Sequence, residues 1–211
     1  MAAKKEKTKM TLFQLQIFVF IIVGFAIGVV LSFFLYKGVF ETYLSQQRKY
    51  IEQDWSNVEY FTNRITDQVI TLRKMLMADK ARADYEKIDS IVDMRSRVLG
   101  GDSIDEKTPL IKDIVKDSQD MITYYNGRMD LRRKHFDYIK WGKDTQPLID
   151  EFNDKVADYN AAADDFNGKI KIFPYSWIAK EKKYKRLPLV KELILTSVQT
   201  ATEEYIKKVD E

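Results

Sequence analysis

Hydrophobic and polar positions fall into two regimes along this chain. No charged residue lies between Lys9 and Lys37, and 12–36 is almost wholly Leu, Ile, Val, Phe, Gly and Ala. That run exceeds the roughly 20 apolar residues an α-helix needs to cross a bilayer. It predicts a single N-terminal transmembrane helix over 10–36, preceded by a basic tail at 1–9. Beyond Lys37 the chain is rich in charge, and its apolar residues recur at helical spacing. The pattern predicts an all-α chain: the transmembrane helix followed by an elongated antiparallel helical bundle over 37–211.

Heptads mark the bundle helices. In the stretch from about 41 to 98, Ile51, Trp55, Val58, Thr62, Ile65, Val69, Leu72 and Leu76 alternate spacings of four and three, with Thr62 as the polar exception. A second seam, about 109 to 141, runs through Ile111, Val115, Ser118, Ile122, Tyr125, Met129, Arg132, Phe136 and Ile139. A shorter amphipathic stretch, about 188 to 208, includes Leu189, Leu193, Val198, Ala201 and Tyr205. Scarce glycine and proline fall in clusters at Gly100-Gly101 through Pro109, at Gly142 to Pro147, and at Pro174 and Pro188, which read as breaks between helices.

The stretch from about 145 to 173 is the most regular. Ile149, Val156, Ala163 and Ile170 hold one seam position; Phe152, Tyr159, Phe166 and Phe173 hold the other. Each aromatic is followed at once by Asn153, Asn160, Asn167 and finally Pro174. Asparagine is a poor helix former because its side chain competes for the backbone. Three at one heptad position imply hydrogen bonds to a neighbouring helix or to loop carbonyls, fixing register as a buried polar residue can.

Charge sharpens the division. Lys4, Lys5, Lys7 and Lys9 against Glu6 give the first nine residues +3, equal to the formal net charge of the whole chain. The part beyond the span sums to zero, so it lacks the basic surplus that phosphate neutralisation demands, and no nucleic-acid partner is expected. Four lysines before the span, against Lys37 and then Arg48 and Lys49 after it, favour a cytoplasmic N-terminus and an extracytoplasmic bundle in the cell's inner membrane. The long apolar run and the absence of an Ala-x-Ala exit argue for a retained anchor over a cleaved signal. Gly24 and Gly28 form a Gly-xxx-Gly pair, a spacing that lets anchor helices approach closely in lipid; the alternative is that glycine is simply common in such helices.

Candidate chemistry adds little. With no cysteine and His135 as the single histidine, the chain offers no disulfide, thiolate nucleophile, histidine pair or triad. Asp150, Glu151, Asp154, Asp158, Asp164 and Asp165 read as a solvated helix face and not a metal site. Residues 101–106 read as a turn with capping residues. No enzyme activity, cofactor, metal or small-molecule substrate is expected. The basic run Lys180, Lys182, Lys183, Lys185 and Arg186 reads first as a solvated interhelix loop, with contact to anionic lipid or a partner as the alternative.

Tyr159-Asn160, Phe166-Asn167, Phe173-Pro174 and Ala179 together resemble the C-terminal signature of the LemA family, with Phe for the family's second Tyr. The resemblance is specific over about 152 to 179. Farther toward the N-terminus, Arg64, Asp67 and Leu72 match, but the family's proline is missing. The resemblance implies a bacterial, elongated helical bundle on a membrane stalk; the heptad repeat itself makes Phe152, Asn153 and the later aromatic-Asn pairs the candidate structural and interaction motif. One member of that family is magnetosome-associated, a role that belongs to that member and does not transfer to this chain. The function expected is a membrane-anchored scaffold or assembly protein, self-associating or joined to other membrane proteins. The alternative is an extracytoplasmic sensory domain that signals through a partner, since only about ten residues precede the span.

Overall fold

A computed structural model describes residues 12–80, 85–101, 103–134 and 136–198. The basic tail at 1–9, His135, Ala201 and Tyr205 lie outside the described residues. Among those described, the regular structure is all helical. α1 spans Leu12–Ala78, α2 Tyr85–Gly100, α3 Ile104–Gly127, α4 Met129–Lys134, α5 Phe136–Lys169 and α6 Tyr175–Glu181.

α1 is one helix of 67 residues, roughly 100 Å long at about 1.5 Å per residue. Its first part is long and apolar enough to cross a membrane, and none of its most apolar window is buried by the rest of the chain. The same helix continues without a break into the bundle, where its heptad seam turns inward. Ile51, Trp55, Val58, Thr62, Ile65, Val69, Leu72 and Leu76 are all buried. Thr62 satisfies its hydroxyl by donating to the Val58 carbonyl at 2.8 Å, so a polar atom at a core position meets no unmet demand.

Cross-links fix the directions of the helices. Arg73 meets Asp89 and Arg95 meets Asp67, so α2 descends antiparallel to α1. Ser103 caps α3, its hydroxyl accepting from the Glu106 amide, and Lys107 reaches back to Glu59 on α1 at 3.0 Å. α5 then runs antiparallel to α1 along its length. Tyr138 donates to Asp79 at 2.8 Å, Trp141 Nε1 donates to the Gln68 carbonyl at 2.8 Å, and Trp55 packs on Tyr159 with ring centroids 4.9 Å apart. At the far end Lys169 reaches the Tyr43 hydroxyl at 2.6 Å.

Several expectations about breaks need correction. Residues 142–147 interrupt nothing: Gly142 and Pro147 lie inside α5, with Pro147 on its exposed side, where the carbonyl freed by its missing N–H can meet water. The second seam does hold through Tyr125, but α3 ends at Gly127 and the chain reverses through α4. Arg132 is buried there, donating to the Asn126 carbonyl at 2.7 Å, whereas Phe136 is exposed. The first stretch likewise divides, with α1 ending at Ala78 and α2 beginning at Tyr85. The largest difference concerns the amphipathic stretch after 188. Residues 182–198 form no helix but a strap laid back along the bundle. Leu187, Val190, Leu193, Leu195 and Val198 are buried in it.

Candidate functional site: an amide-laced strap and an aromatic corner

The strap begins where α6 ends. Lys183 takes a left-handed φ of 56°, and the Tyr184 and Lys183 amides donate back to the Ala179 and Lys180 carbonyls at 2.8 and 3.3 Å. This is a Schellman closure, and it turns the chain to run up the groove between α3 and α5.

The repeated asparagines line that groove. Asn167 donates to the Leu187 carbonyl at 2.9 Å and accepts from the Leu187 amide at 2.8 Å. Asn160 accepts from the Val190 amide at 2.7 Å. Asn153 exchanges both bonds with Leu195, at 2.9 and 3.0 Å. One heptad earlier Gln146 accepts from the Val198 amide at 2.5 Å. Each carboxamide thus offers a donor and an acceptor where a neighbouring strand would offer a peptide group.

The spacing follows from the two geometries. Seven helical residues advance about 10.5 Å and three extended residues about 10 Å. Leu187 to Val190 and Leu195 to Val198 are three-residue steps, each matched to one heptad of α5. Between them the strap takes five residues, and the excess is taken up in a tight turn in which the Leu193 amide donates to the Val190 carbonyl at 3.0 Å.

α3 laces the other side with a heptad row of its own. Lys112 pairs with Glu192. Gln119 accepts from the Thr196 amide at 2.8 Å, and Asn126 donates to the Ser197 carbonyl at 3.0 Å. Lys112 and the Glu192 backbone hold the Glu192 carboxyl below its ordinary range. Burial pushes the Tyr159 phenol well above its ordinary value, so it stays protonated and donates to the Pro188 carbonyl at 2.8 Å.

The aromatic row serves the core as far as Phe166: Phe152, Tyr159 and Phe166 are fully buried beside Val156 and Ala163. Phe173 departs from it. α5 ends at Lys169, Ile170 is only partly buried, and Phe173 is 70% exposed beside Pro174. Phe173 instead belongs to a corner that sets α6 against α1 at the edge of the charge-free run. Trp177 packs on Phe33 with ring centroids 5.3 Å apart, and Tyr175 on Phe40 at 5.2 Å. Lys37, the first charge after the run, lies 4.7 Å over the Trp177 ring and bonds Glu181 at 2.8 Å. Phe33, Tyr36, Phe40, Phe173, Trp177 and Ile178 wall a cleft of about 300 Å³ there.

The basic run sits at the same end. Lys182 pairs with Glu41, which, with Glu181 and the Tyr184 phenol nearby, raises its pKa. Lys180, Lys182, Lys183, Lys185 and Arg186 are all exposed. Gly24 and Gly28 lie on the exposed face of α1, with open space where a Cβ would stand. In the acidic stretch Asp150 accepts from Gln146, while Asp158 and Asp165 meet Lys155 and Lys169. Among the described residues no group of three or more acidic or histidine side chains is arranged to hold a metal ion.

Sequence reasoning missed Gln146, Gln119, Asn126 and Lys112. A signal was present: Gln146 continues the asparagine row by one heptad, and Lys112, Gln119 and Asn126 are themselves seven apart. Reading 142–147 as a break hid the first, and reading the C-terminal stretch as a helix removed the need for the others.

Fold and site together define an all-helical bundle built on one long apolar-to-amphipathic helix and closed by an amide-laced strap. Compared with protein-family models, with curated proteins and with solved structures, the chain finds no match.

Proposed function

We propose that this chain is a membrane-anchored structural and interaction module of the LemA type that self-associates through its anchor and performs no catalysis. The observation that carries this reading is the continuity of α1. The helix that begins in the charge-free run is the same one that supplies the central seam of the bundle. A module joined to its anchor by unbroken helix transmits position and orientation, as a strut does, and leaves no linker about which to swivel. Placement of the bundle outside the cytoplasm follows the lysine asymmetry about the span, and placement in a bacterial inner membrane follows the LemA resemblance. Close approach of anchors at Gly24 and Gly28 then brings the bundles side by side, or beside other membrane proteins.

Mass photometry of full-length protein in mild detergent tests this. The reading expects one discrete multimer, shifted toward monomer by Gly24→Leu with Gly28→Leu. A monomer at micromolar concentration overturns self-association. A sensory reading draws on the same continuity, since displacement at the bundle would reach the anchor; a monomer stabilised by a small molecule would favour it.

A further inference from the structure

The corner formed by the end of α5, α6 and α1 exposes apolar surface at a level where the bundle is otherwise charged. Ile172 and Phe173 are 64% and 70% exposed, with Trp177 beside them at 36%. Their height along α1 is fixed by contacts. Trp177 packs on Phe33, which lies inside the charge-free run four residues before Lys37. The corner therefore overlaps the end of the segment read as membrane-spanning, by about one helical turn, or roughly 5 Å.

We propose that this corner is a second membrane contact: Ile172, Phe173 and Trp177 enter the headgroup and upper acyl region of the bilayer, with a phospholipid chain occupying the cleft beside Phe33. The proposal rests on reading 10–36 as a span. Three observations favour lipid as the occupant. The cleft opens at the level of the run's end and is walled by apolar side chains, with Lys37 as its charged residue. Trp and Tyr side chains concentrate where α6 meets that level, and such amphipathic rings settle at membrane interfaces. Lys180, Lys182, Lys183, Lys185 and Arg186 against Glu181 and the Glu41 that pairs with Lys182 still leave the adjoining surface positive, which suits anionic headgroups. A second copy of the chain would bring the same positive run to the contact and be repelled.

A two-point attachment has a mechanical consequence. One spanning helix leaves a protein free to tilt and to rotate about the membrane normal. A side contact one helix diameter away fixes which face of the bundle meets the surface, and so orients the strut.

The absence of native cysteine allows a direct test. Spin labels are placed one at a time at Phe173→Cys, Val23→Cys and Tyr60→Cys in the full chain, in vesicles of phosphatidylethanolamine and phosphatidylglycerol. Collision with oxygen, which concentrates in lipid, is compared with collision with a water-soluble nickel complex. The label at 173 is expected to resemble that at 23, open to oxygen and shielded from nickel, while the label at 60 is open to nickel. A second readout leaves Phe173 in place: brominated lipid quenches tryptophan fluorescence, and Trp177→Phe removes that quenching, because Trp55 and Trp141 are buried in the bundle. A label at 173 open to nickel, with 23 in lipid, overturns the proposal. Shielding of 173 from both reagents assigns the corner to a protein partner and overturns it equally. If the label at 23 is itself open to nickel, the span reading fails and the proposal fails with it.

Discussion

Asparagine at three heptad positions costs α5 up to about 0.7 kcal/mol each relative to alanine, and the strap supplies the compensation. Asn167 is the most buried of them and makes both of its bonds to Leu187. Alanine there leaves a buried amide and a buried carbonyl without partners, at roughly 1–3 kcal/mol apiece, less the gain in helix propensity. Asn167→Ala should therefore cost about 2–4 kcal/mol in thermal unfolding, whereas Asn160→Ala, losing one bond at a half-buried site, should cost about 1 kcal/mol. Equal losses at the two sites would contradict the ladder. At this scale the sequence was informative: three asparagines at one spacing announced a hydrogen-bonding partner. They did not say whether that partner was a helix or an extended segment, because a carboxamide matches a peptide group in either.

At the scale of elements, seams and boundaries differed in legibility. The α1 seam could be read residue by residue because each position is decided by burial, and burial follows the heptad. The ends of helices could not. Pro109 and Pro147 looked like breaks yet lie within α3 and α5, and the reversal after Gly127 carries no proline. The strap was misread because Leu189, Leu193 and Val198 fit a helical spacing, while its true pattern is set by heptads on α3 and α5. Its ion pair with α3 gives an acid-sensitive signature. Lys112 holds the Glu192 carboxyl below its ordinary value, so the folded state binds that proton less readily than the unfolded chain. The contribution is complete above the unfolded value of about 4.3 and disappears as pH falls through the lowered one. Glu192 is half exposed, which keeps the effect small. Wild type should melt above Glu192→Gln at about pH 6, and the gap should narrow steadily as pH falls below about 4.3; a gap that does not narrow in acid would assign the difference to something other than this charge.

At the scale of the whole molecule the chain is a strut: one helix from the charge-free run to the bundle's far end, the long helices α2, α3 and α5 packed beside it with the short α4 and α6 at the two ends of α5, and a strap that closes the remaining groove. Composition had already divided the chain into an apolar part and a charged part of zero net charge. What it could not show was the absence of a joint between them, since Lys37 and Gly38 look like a natural boundary. Helical continuity and the strap make the same mechanical claim, that the charge-free run and the bundle move as one body. In that body the strap is part of the core and not a tail laid over it, because Leu187, Val190, Leu195 and Val198 are buried and their amides are bonded to side chains of α5.

Native-state hydrogen exchange of the full-length protein in detergent tests that claim most directly. The four strap amides should exchange only with global unfolding, at the rate of the α5 seam, although they belong to no helix. Exchange of those amides far faster than the seam's would show a strap that opens on its own, and would contradict an account in which it locks the strut.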